Sequence, residues 1–242
     1  MASKLSAQPD WADLLKQGAW FAQLPAHLRE LLLRHGQTQH LDAGQRLFLR
    51  GDPCDGLYAV LSGAMLISGS TQDGRNAVLA VLEPPTWFGE ISIIDDGPRT
   101  HDAHAHLATT LWWVSRSVVD DLLAEHPELW RHLARLVTAK TRLLFMRLSD
   151  MAAQPAQARL IHELLRLAEG YGMAQTTSGP RVLPIKLEQL AGLASTSRQT
   201  ASEVLGQLQR LGVVRRQALG LEVLDTEALR QQLHTPPAPN GF

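Results

Sequence analysis

The spacing of apolar residues changes along the chain and separates regions of different secondary structure. Between residues 9 and 35 the apolar positions recur with helical spacing and are interrupted at Leu24-Pro25, which predicts two short amphipathic helices. From residue 37 to residue 115, short apolar runs recur every eight to twelve residues between Gly, Asp and Pro turn signals. This pattern predicts an antiparallel β roll (jelly roll) of about eight strands, whose interior can hold a small ligand.

Helical spacing returns at Ser115 and continues, after His126-Pro127, in one long run to about Met151. Neither Gly nor Pro interrupts this run, and its apolar arc is wide enough to cover the roll and also to pair with a second copy of the chain. A helix that packs only on its own domain is the alternative. The residues predicted to form the dimer contact are Trp130, Leu133, Val137, Thr141, Leu144, Leu148 and Met151.

The region after Pro155 carries the pattern of a winged helix-turn-helix. Two short helical runs are joined by Ala194-Ser195-Thr196, and a hairpin pattern follows around Leu219-Gly220. Thr196 and Gln199 fit a capping box at the start of the second helix. We therefore predict an α+β fold with a β-roll sensor domain in residues 1–126, a dimerisation helix and hinge in 127–154, a winged helix-turn-helix domain in 155–234 and a disordered tail in 235–242.

Composition narrows the possible functions. The chain has 242 residues and one cysteine, Cys54, so an internal disulfide, a cysteine zinc site and an iron–sulfur cluster are excluded within one chain. The sequence lacks both the apolar core of a signal peptide and a run of about 18 apolar residues, so we expect a cytoplasmic protein without a membrane partner. It also lacks a Walker-type phosphate loop, a His-Glu-x-x-His motif and a Ser, a His and an acidic residue placed as a catalytic triad would require. These absences argue against an enzyme.

The charge balance limits how this chain could bind nucleic acid. The net charge is −1, with 14 Lys and Arg against 17 Asp and Glu up to residue 151, and 9 against 7 thereafter. General electrostatic attraction to DNA would be weak, so a few placed residues must carry any binding. Outward positions near the start of the second helix of a helix-turn-helix enter the major groove, and basic wing residues contact phosphates. The predicted DNA-binding residues are Ser197, Arg198, Gln199, Thr200, Ser202, Arg215 and Arg216.

Several motifs occur in a recognisable order. The first domain contains residues 51–58 (GDPCDGLY), 61–63 (LSG), 88–92 (FGEIS) and 97–100 (GPRT), and the second contains residues 190–202 (LAGLASTSRQTAS). With a long apolar helix between them, these motifs make the chain resemble the Crp-Fnr family of bacterial transcription regulators from about residue 15 to residue 225. The resemblance implies a cyclic-nucleotide-binding β roll, a dimerisation helix and a winged helix-turn-helix.

The resemblance also implies a set of ligand-binding residues. In cyclic-AMP-responsive members the residue matching Glu90 accepts a hydrogen bond from the ribose 2′-hydroxyl, and those matching Arg99 and Thr100 hold the cyclic phosphate. These roles fit the chemistry, because a carboxylate accepts from a hydroxyl and a guanidinium makes forked contacts with phosphate. The ligand-binding residues implied are Gly89, Glu90, Ile91, Ser92, Arg99 and Thr100.

Departures from the family pattern count against cyclic AMP as the effector. Leu144 and Phe145 align with the polar Thr-Ser pair that contacts adenine in cyclic-AMP-binding members, and they can neither donate nor accept. His101 and Asp102 follow Arg99-Thr100, where a small residue is usual, and would crowd a phosphate. A cyclic nucleotide thus remains a possible effector without a preferred identity.

In the DNA-reading helix, Gln199 stands where relatives often have an acidic residue, and Gln favours adenine over cytosine. Glu203 stands where relatives often have an arginine.

His101, His104 and His106 form the histidine cluster visible in the sequence. On a strand, His104 and His106 would share a face while His101 points the other way, so at most two of them could bind one metal ion without another donor. We expect a polar strand face, titrating near neutral pH, and predict no metal site. We interpret Cys54 as a small turn residue.

Together these features predict a homodimeric, sequence-specific transcription regulator that binds palindromic double-stranded DNA and RNA polymerase, with DNA affinity controlled by a signal at the roll pocket. Two alternatives remain open. One is a regulator that binds DNA without an effector, and the other is a nucleotide-binding regulatory subunit that acts on a protein partner.

Overall fold

A computed structural model describes residues 11–70, 76–172, 179–218 and 220–234. These residues form an antiparallel β roll, a long helix and a C-terminal helix-turn-helix with a β hairpin, which confirms the predicted α+β class. The predicted tail, residues 235–242, lies outside the described residues. None of the described helices combines the length and apolar character that a membrane-crossing segment requires.

Three helices precede the roll, where the sequence predicted two: α1 (Trp11–Lys16), α2 (Ala19–Ala22) and α3 (Ala26–His35). The break at Leu24-Pro25 is confirmed, because Pro25 is the residue immediately before α3. Phe21 of α2 stacks on Trp87 of the roll with ring centroids 5.4 Å apart. This aromatic contact fixes the N-terminal helices to the roll.

The roll consists of two four-stranded antiparallel sheets. Its strands are β1 (Gln37–Leu41), β2 (Arg46–Phe48), β3 (Gly56–Ser62), β4 (Met65–Ser70), β5 (Asn76–Leu82), β6 (Trp87–Phe88), β7 (Asp102–Ala105) and β8 (Thr109–Ser115). One sheet has the order β1-β8-β3-β6 and the other β2-β7-β4-β5. Tyr58, Val60, Met65, Phe88 and Leu111 fill the space between the sheets. A short helix, α4 (Ile91–Ile94), interrupts the chain between β6 and β7.

Two helices follow the roll: α5 (Arg116–Glu125) and α6 (Glu128–Ala153). The two halves of α6 differ in burial. Leu129, Leu133 and Leu136 are buried against the roll, whereas Leu144 and Leu148 are 55% and 57% exposed. The predicted stripe is therefore divided: Leu133 is buried in its own roll, whereas Trp130, Leu144, Leu148 and Met151 are 42–57% exposed.

The C-terminal domain combines a helical core with a three-stranded sheet. Its elements are α7 (Ala156–Ala168), β9 (Arg181–Leu183), α8 (Leu187–Leu193), α9 (Arg198–Arg210), β10 (Val214–Gln217), β11 (Gly220–Val223) and α10 (Thr226–Gln231). The sheet order is β10-β11-β9, so the predicted hairpin wing gains β9 as a third strand. Ala201, Val204, Leu205 and Leu208 face inward from α9, as their spacing predicted.

Partly buried ion pairs and hydrogen bonds join the C-terminal domain to the long helix and to the roll of its own chain. Arg147 of α6 forms two hydrogen bonds with Glu163 of α7, 2.7 and 3.0 Å long, and donates a third to the carbonyl oxygen of Leu79 in β5. Arg181 of β9 donates to Glu83, which follows β5. Burial raises the pKa of Glu83 above its ordinary value, and the nearby Arg181 opposes that effect. The long helix α6, the roll and the C-terminal domain are therefore connected by these contacts.

Candidate effector pocket and nucleic-acid interface

A cavity of about 530 Å³ opens beside the roll, within the range of small-molecule sites. All six predicted ligand-binding residues line it: Gly89, Glu90, Ile91, Ser92, Arg99 and Thr100. Most of its remaining wall is apolar and includes Ile67, Leu79, Leu143 and Leu144. The arrangement suits a ligand with a flat or apolar body and a few polar groups at one end.

Glu90 lies at the polar end of this cavity and is only 1% exposed. Its Oε2 atom is 2.8 Å from Nζ of Lys140, a residue of α6. The ammonium group donates to the carboxylate that the family resemblance assigned to a ribose hydroxyl. Glu90 therefore joins the pocket to the long helix, a role that the sequence did not reveal because the two residues are fifty positions apart.

Arg99 is buried and held by acceptors of its own chain. Its guanidinium donates to Asp55 Oδ1 at 2.5 Å and to the carbonyl oxygens of Gly56 and Gly89 at 2.7 and 3.0 Å. It also lies 4.4 Å from the centroid of the Phe48 ring. Its Nε atom is buried without a hydrogen-bond partner among the described residues. A buried N–H without a partner is costly, so this atom marks a place where the pocket wall lacks an acceptor.

Gly89 is required by the close approach of Arg99. Its φ is +96°, and a Cβ there would lie 2.9 Å from Nη1 of Arg99 and 3.1 Å from the Gly56 oxygen. Thr100 and Ser92 already have partners, because Thr100 Oγ1 is 2.8 Å from His101 Nδ1 and Ser92 Oγ donates to the Pro98 oxygen. The loop geometry thus keeps Arg99 against the pocket wall.

The cavity extends from the roll to the helix-turn-helix. Leu148 and Met151 of α6, Tyr171 after α7, and Leu193 and Ser195 of the helix-turn-helix all line it. Burial raises the pKa of Tyr171 to about 12, so its hydroxyl keeps its proton at neutral pH. A ligand in this cavity could contact the roll, the long helix and the helix-turn-helix at once.

The second helix of the helix-turn-helix, α9, begins at Arg198 and is capped by Ser197. The Ser197 hydroxyl accepts a hydrogen bond from the Thr200 amide at 3.0 Å, so the predicted capping box of Thr196 and Gln199 is wrong. Gln199 instead donates to Glu203 one turn later. Both Thr196 and Ser197 are good capping types, and only the backbone geometry distinguishes them.

The predicted DNA-reading residues share one end of α9. Ser197, Arg198 and Gln199 are exposed, while Thr200 and Ser202 are half-buried. Arg198 lies 3.3 Å from Glu188 of α8, a contact between two side chains that are both mostly exposed. Exposed ion pairs of this kind contribute little, so DNA could displace it readily.

Arg159 of α7 is a residue that the sequence reading missed. Its guanidinium donates to the carbonyl oxygens of Ala194 and Ser195 in the turn of the helix-turn-helix and to that of Gln154 before α7. These three bonds tie the turn to the start of α7. The turn itself contains Ser195 at a φ of +48°. A lone arginine at a helix start gives no sequence signal for such a clamp.

The wing places its two arginines differently. Arg215 forms hydrogen bonds of 2.7 and 2.9 Å with Glu222 across the hairpin. Gln217 also donates to Glu222, and these bonds lower the pKa of Glu222. Arg216 is exposed and has no side-chain partner in the part of the chain that is described. Arg216 is therefore the wing residue most available to a phosphate.

The histidines singled out in the sequence are spread over separate environments. The prediction that His104 and His106 share a strand face is wrong, because strand β7 ends at Ala105 and His106 lies beyond it. His106 lies against Gln189 of α8, 3.5 Å away, while His101 contacts Thr100 at the cavity. Burial lowers the pKa of both His101 and His106, and the positive charges of Arg50 and Lys186 respectively lower it further.

Comparison with known protein families matches both halves of the chain. Residues 38–126 match the model of a cyclic nucleotide-binding domain, and residues 158–232 match a Crp-like helix-turn-helix domain. Proteins with this combination are transcription regulators rather than enzymes.

Curated proteins and solved structures give the same result. The chain is 32% identical to the cyclic AMP receptor protein of Thermus thermophilus over 84% of its own length and 90% of that protein. It is 28% identical to the CRP-like cAMP-activated global transcriptional regulator of Mycobacterium tuberculosis, covering 91% of this chain and 98% of the other. The fold is similar to that of FixK2 from Bradyrhizobium japonicum, with a TM-score of 0.71 and 20% identity over 84% of this chain and 99% of that one.

Proposed function

Because the chain belongs to the Crp-Fnr family of transcription regulators, we propose that it binds palindromic DNA as a homodimer and that a small molecule in the roll cavity sets its DNA affinity. The observation that carries this proposal is a cavity to whose lining the roll, α6 and the turn of the helix-turn-helix all contribute. A ligand that prefers one arrangement of these three parts shifts the population of that arrangement, and with it the spacing of the two α9 helices.

The second half of α6 supports the dimer part of the proposal. Leu144, Phe145, Leu148 and Met151 are between 50% and 65% exposed, which is unusual for apolar residues on one helix. A second copy of α6 would bury them in a symmetric contact. Leu133 is excluded from this contact, because it is fully buried in the core of its own roll. Phe145 replaces it in the proposed interface.

DNA recognition is proposed to centre on Arg198. Its exposed guanidinium can make a bidentate contact with guanine O6 and N7, while Gln199 can pair with adenine. Replacing Arg198 with Ala should cost about 1–3 kcal/mol at one guanine position and relax specificity there. Arg210→Ala, an exposed arginine at the other end of α9, is the matched control. An equal loss of affinity for every DNA sequence would identify Arg198 as a phosphate contact instead.

The effector is proposed to be an anionic molecule with an apolar or aromatic body, for which cyclic nucleotides are the first class to test. The unpaired Nε atom of Arg99 can donate to the anion, and the apolar wall can hold the body. Titration of the full chain with cyclic mononucleotides and cyclic dinucleotides by calorimetry tests this directly. Heat that disappears in Gly89→Ala supports the pocket, since the new Cβ would displace Arg99.

A second candidate is a regulator that needs no effector. It is favoured by the contacts that already engage the two charged groups assigned to a ligand by the family resemblance, Glu90 with Lys140 and Arg99 with Asp55. Under this candidate the protein binds its DNA site with full affinity in the absence of any ligand. Absence of heat from every cyclic nucleotide, together with tight DNA binding, would favour it over the first proposal.

Contact with RNA polymerase is proposed from the family alone. Co-purification of polymerase with the DNA-bound protein tests it, and failure to recover polymerase on a promoter fragment would count against it.

A further inference from the structure

Three metal-binding side chains from distant parts of the sequence meet at one corner of the molecule. They are His27 in α3, His126 between α5 and α6, and Glu128, the first residue of α6. One ligand atom from each lies within 4.8 Å of the others. His27 Nε2 is 3.0 Å from Glu128 Oε1, and His126 Nδ1 is 3.8 Å from the same oxygen.

The backbone around this cluster is fixed. The His126 amide donates to the Leu122 oxygen at 2.8 Å, and its carbonyl accepts from the Leu129 amide at 2.9 Å. On the other side, the Arg29 guanidinium donates to the oxygens of Ala22 and Leu24, which holds the entry to α3. The three side chains are thus carried by helix ends whose backbone is hydrogen-bonded, and their ligand atoms lie within 4.8 Å of one another.

The donor set and its spacing fit a transition metal. Two imidazole nitrogens and a carboxylate are ligands that Zn²⁺ accepts at about 2.0–2.2 Å, so neighbouring ligands in a tetrahedral site lie about 3.4 Å apart. The observed separations of 3.0 and 3.8 Å bracket that spacing. His27 and Glu128 are exposed, which leaves room for water at a fourth position.

We propose that His27, His126 and Glu128 form a binding site for a divalent transition-metal ion of the zinc type. The ion would join α3 to the corner between α5 and α6 across about a hundred residues of sequence. Because α6 continues to the C-terminal domain, metal binding would stabilise the packing of the N-terminal helices at the base of the long helix. Without a metal, the same residues make only exposed or half-buried contacts between histidine and glutamate side chains, which contribute little to stability.

Calorimetric titration of the metal-stripped full chain with ZnCl₂, paired with CoCl₂ titration followed by visible absorption, tests the site. We expect one zinc ion per chain and a cobalt band typical of nitrogen and oxygen ligands. His27→Ala and Glu128→Gln should each weaken zinc binding by about tenfold or more, since even residues that only support a metal ligand contribute 10- to 100-fold. His40→Ala, an exposed histidine on β1 outside the cluster, should leave zinc binding unchanged.

Two results would overturn the proposal. One is a wild-type chain that binds neither zinc nor cobalt. The other is wild-type zinc affinity in His27→Ala, which would assign any bound metal to another part of the chain. Circular dichroism of each variant checks that a loss of binding is not a loss of folding. If His27→Ala unfolds, Glu128→Gln provides the same test with a side chain of nearly equal size.

Discussion

The ion pair between Glu90 and Lys140 offers the sharpest test of how the roll is joined to the long helix. Replacing Lys140 with Met removes the ammonium group 2.8 Å from a carboxylate whose side chain is 2% exposed. Removing one partner of a buried ion pair costs about 3–5 kcal/mol. Since the Lys140 side chain is 25% exposed, water can reach the site, and we expect a loss near the lower end, about 3 kcal/mol.

Urea unfolding of Lys140→Met, Glu90→Gln and the double variant measures the coupling between the two residues. Glu90→Gln removes the charge that Lys140 neutralises, so the double variant should be more stable than Lys140→Met alone. Arg142→Met, an exposed cation on the same helix, should change stability by no more than about 0.5 kcal/mol. Additive effects of the two single changes, within about 0.5 kcal/mol, would refute the proposed coupling.

Three further predictions concern the core, the turn of the helix-turn-helix and the pH dependence of stability. Leu133→Ala should lower the free energy of unfolding by about 2–5 kcal/mol without weakening dimerisation. Leu148→Ala should weaken dimerisation, measured by sedimentation, without a comparable loss in the free energy of unfolding. Arg159→Met should reduce DNA affinity in fluorescence anisotropy although Arg159 is not proposed to touch DNA, because two hydrogen bonds to the turn and one to the Gln154 oxygen are lost. Unchanged affinity would show that the turn holds its shape unaided. The folded chain lowers the pKa of His106, so the unfolded chain binds that proton more readily and stability falls as pH drops below about 6.5. His106→Gln should flatten part of this decline in urea titrations, and an unaltered pH profile would contradict the assignment.

Local periodicity was sufficient to predict the architecture. Alternating short apolar runs gave the roll, and the helical stripe gave α6, because burial imposes these periods directly on the sequence. The same stripe could not distinguish Leu133, which packs on its own roll, from Leu148, which reaches solvent. Periodicity reports which side of a helix is apolar, but not whether its own domain or a second copy covers that side.

The site was harder to predict because its contacts join distant positions. The loop residues around Glu90 and Arg99 were found through their motif, yet nothing in the sequence pairs Glu90 with Lys140, fifty positions away, or Arg99 with Asp55, forty-four positions away. The histidines illustrate the same limit. Proximity in sequence drew attention to His101, His104 and His106, whereas the structure brings together His27 and His126, ninety-nine positions apart.

Selection of genomic DNA fragments by the full chain tests the central claim most directly. A homodimer with two α9 helices predicts retained fragments that share a two-fold symmetric motif, with half-sites centred about 10–10.5 base pairs, or a multiple of one helical turn, apart. Arg198→Ala should lose the preference for one guanine in each half-site. Retention of no fragment at low salt, or of fragments without a symmetric motif, would contradict the account of this protein as a dimeric DNA-reading regulator.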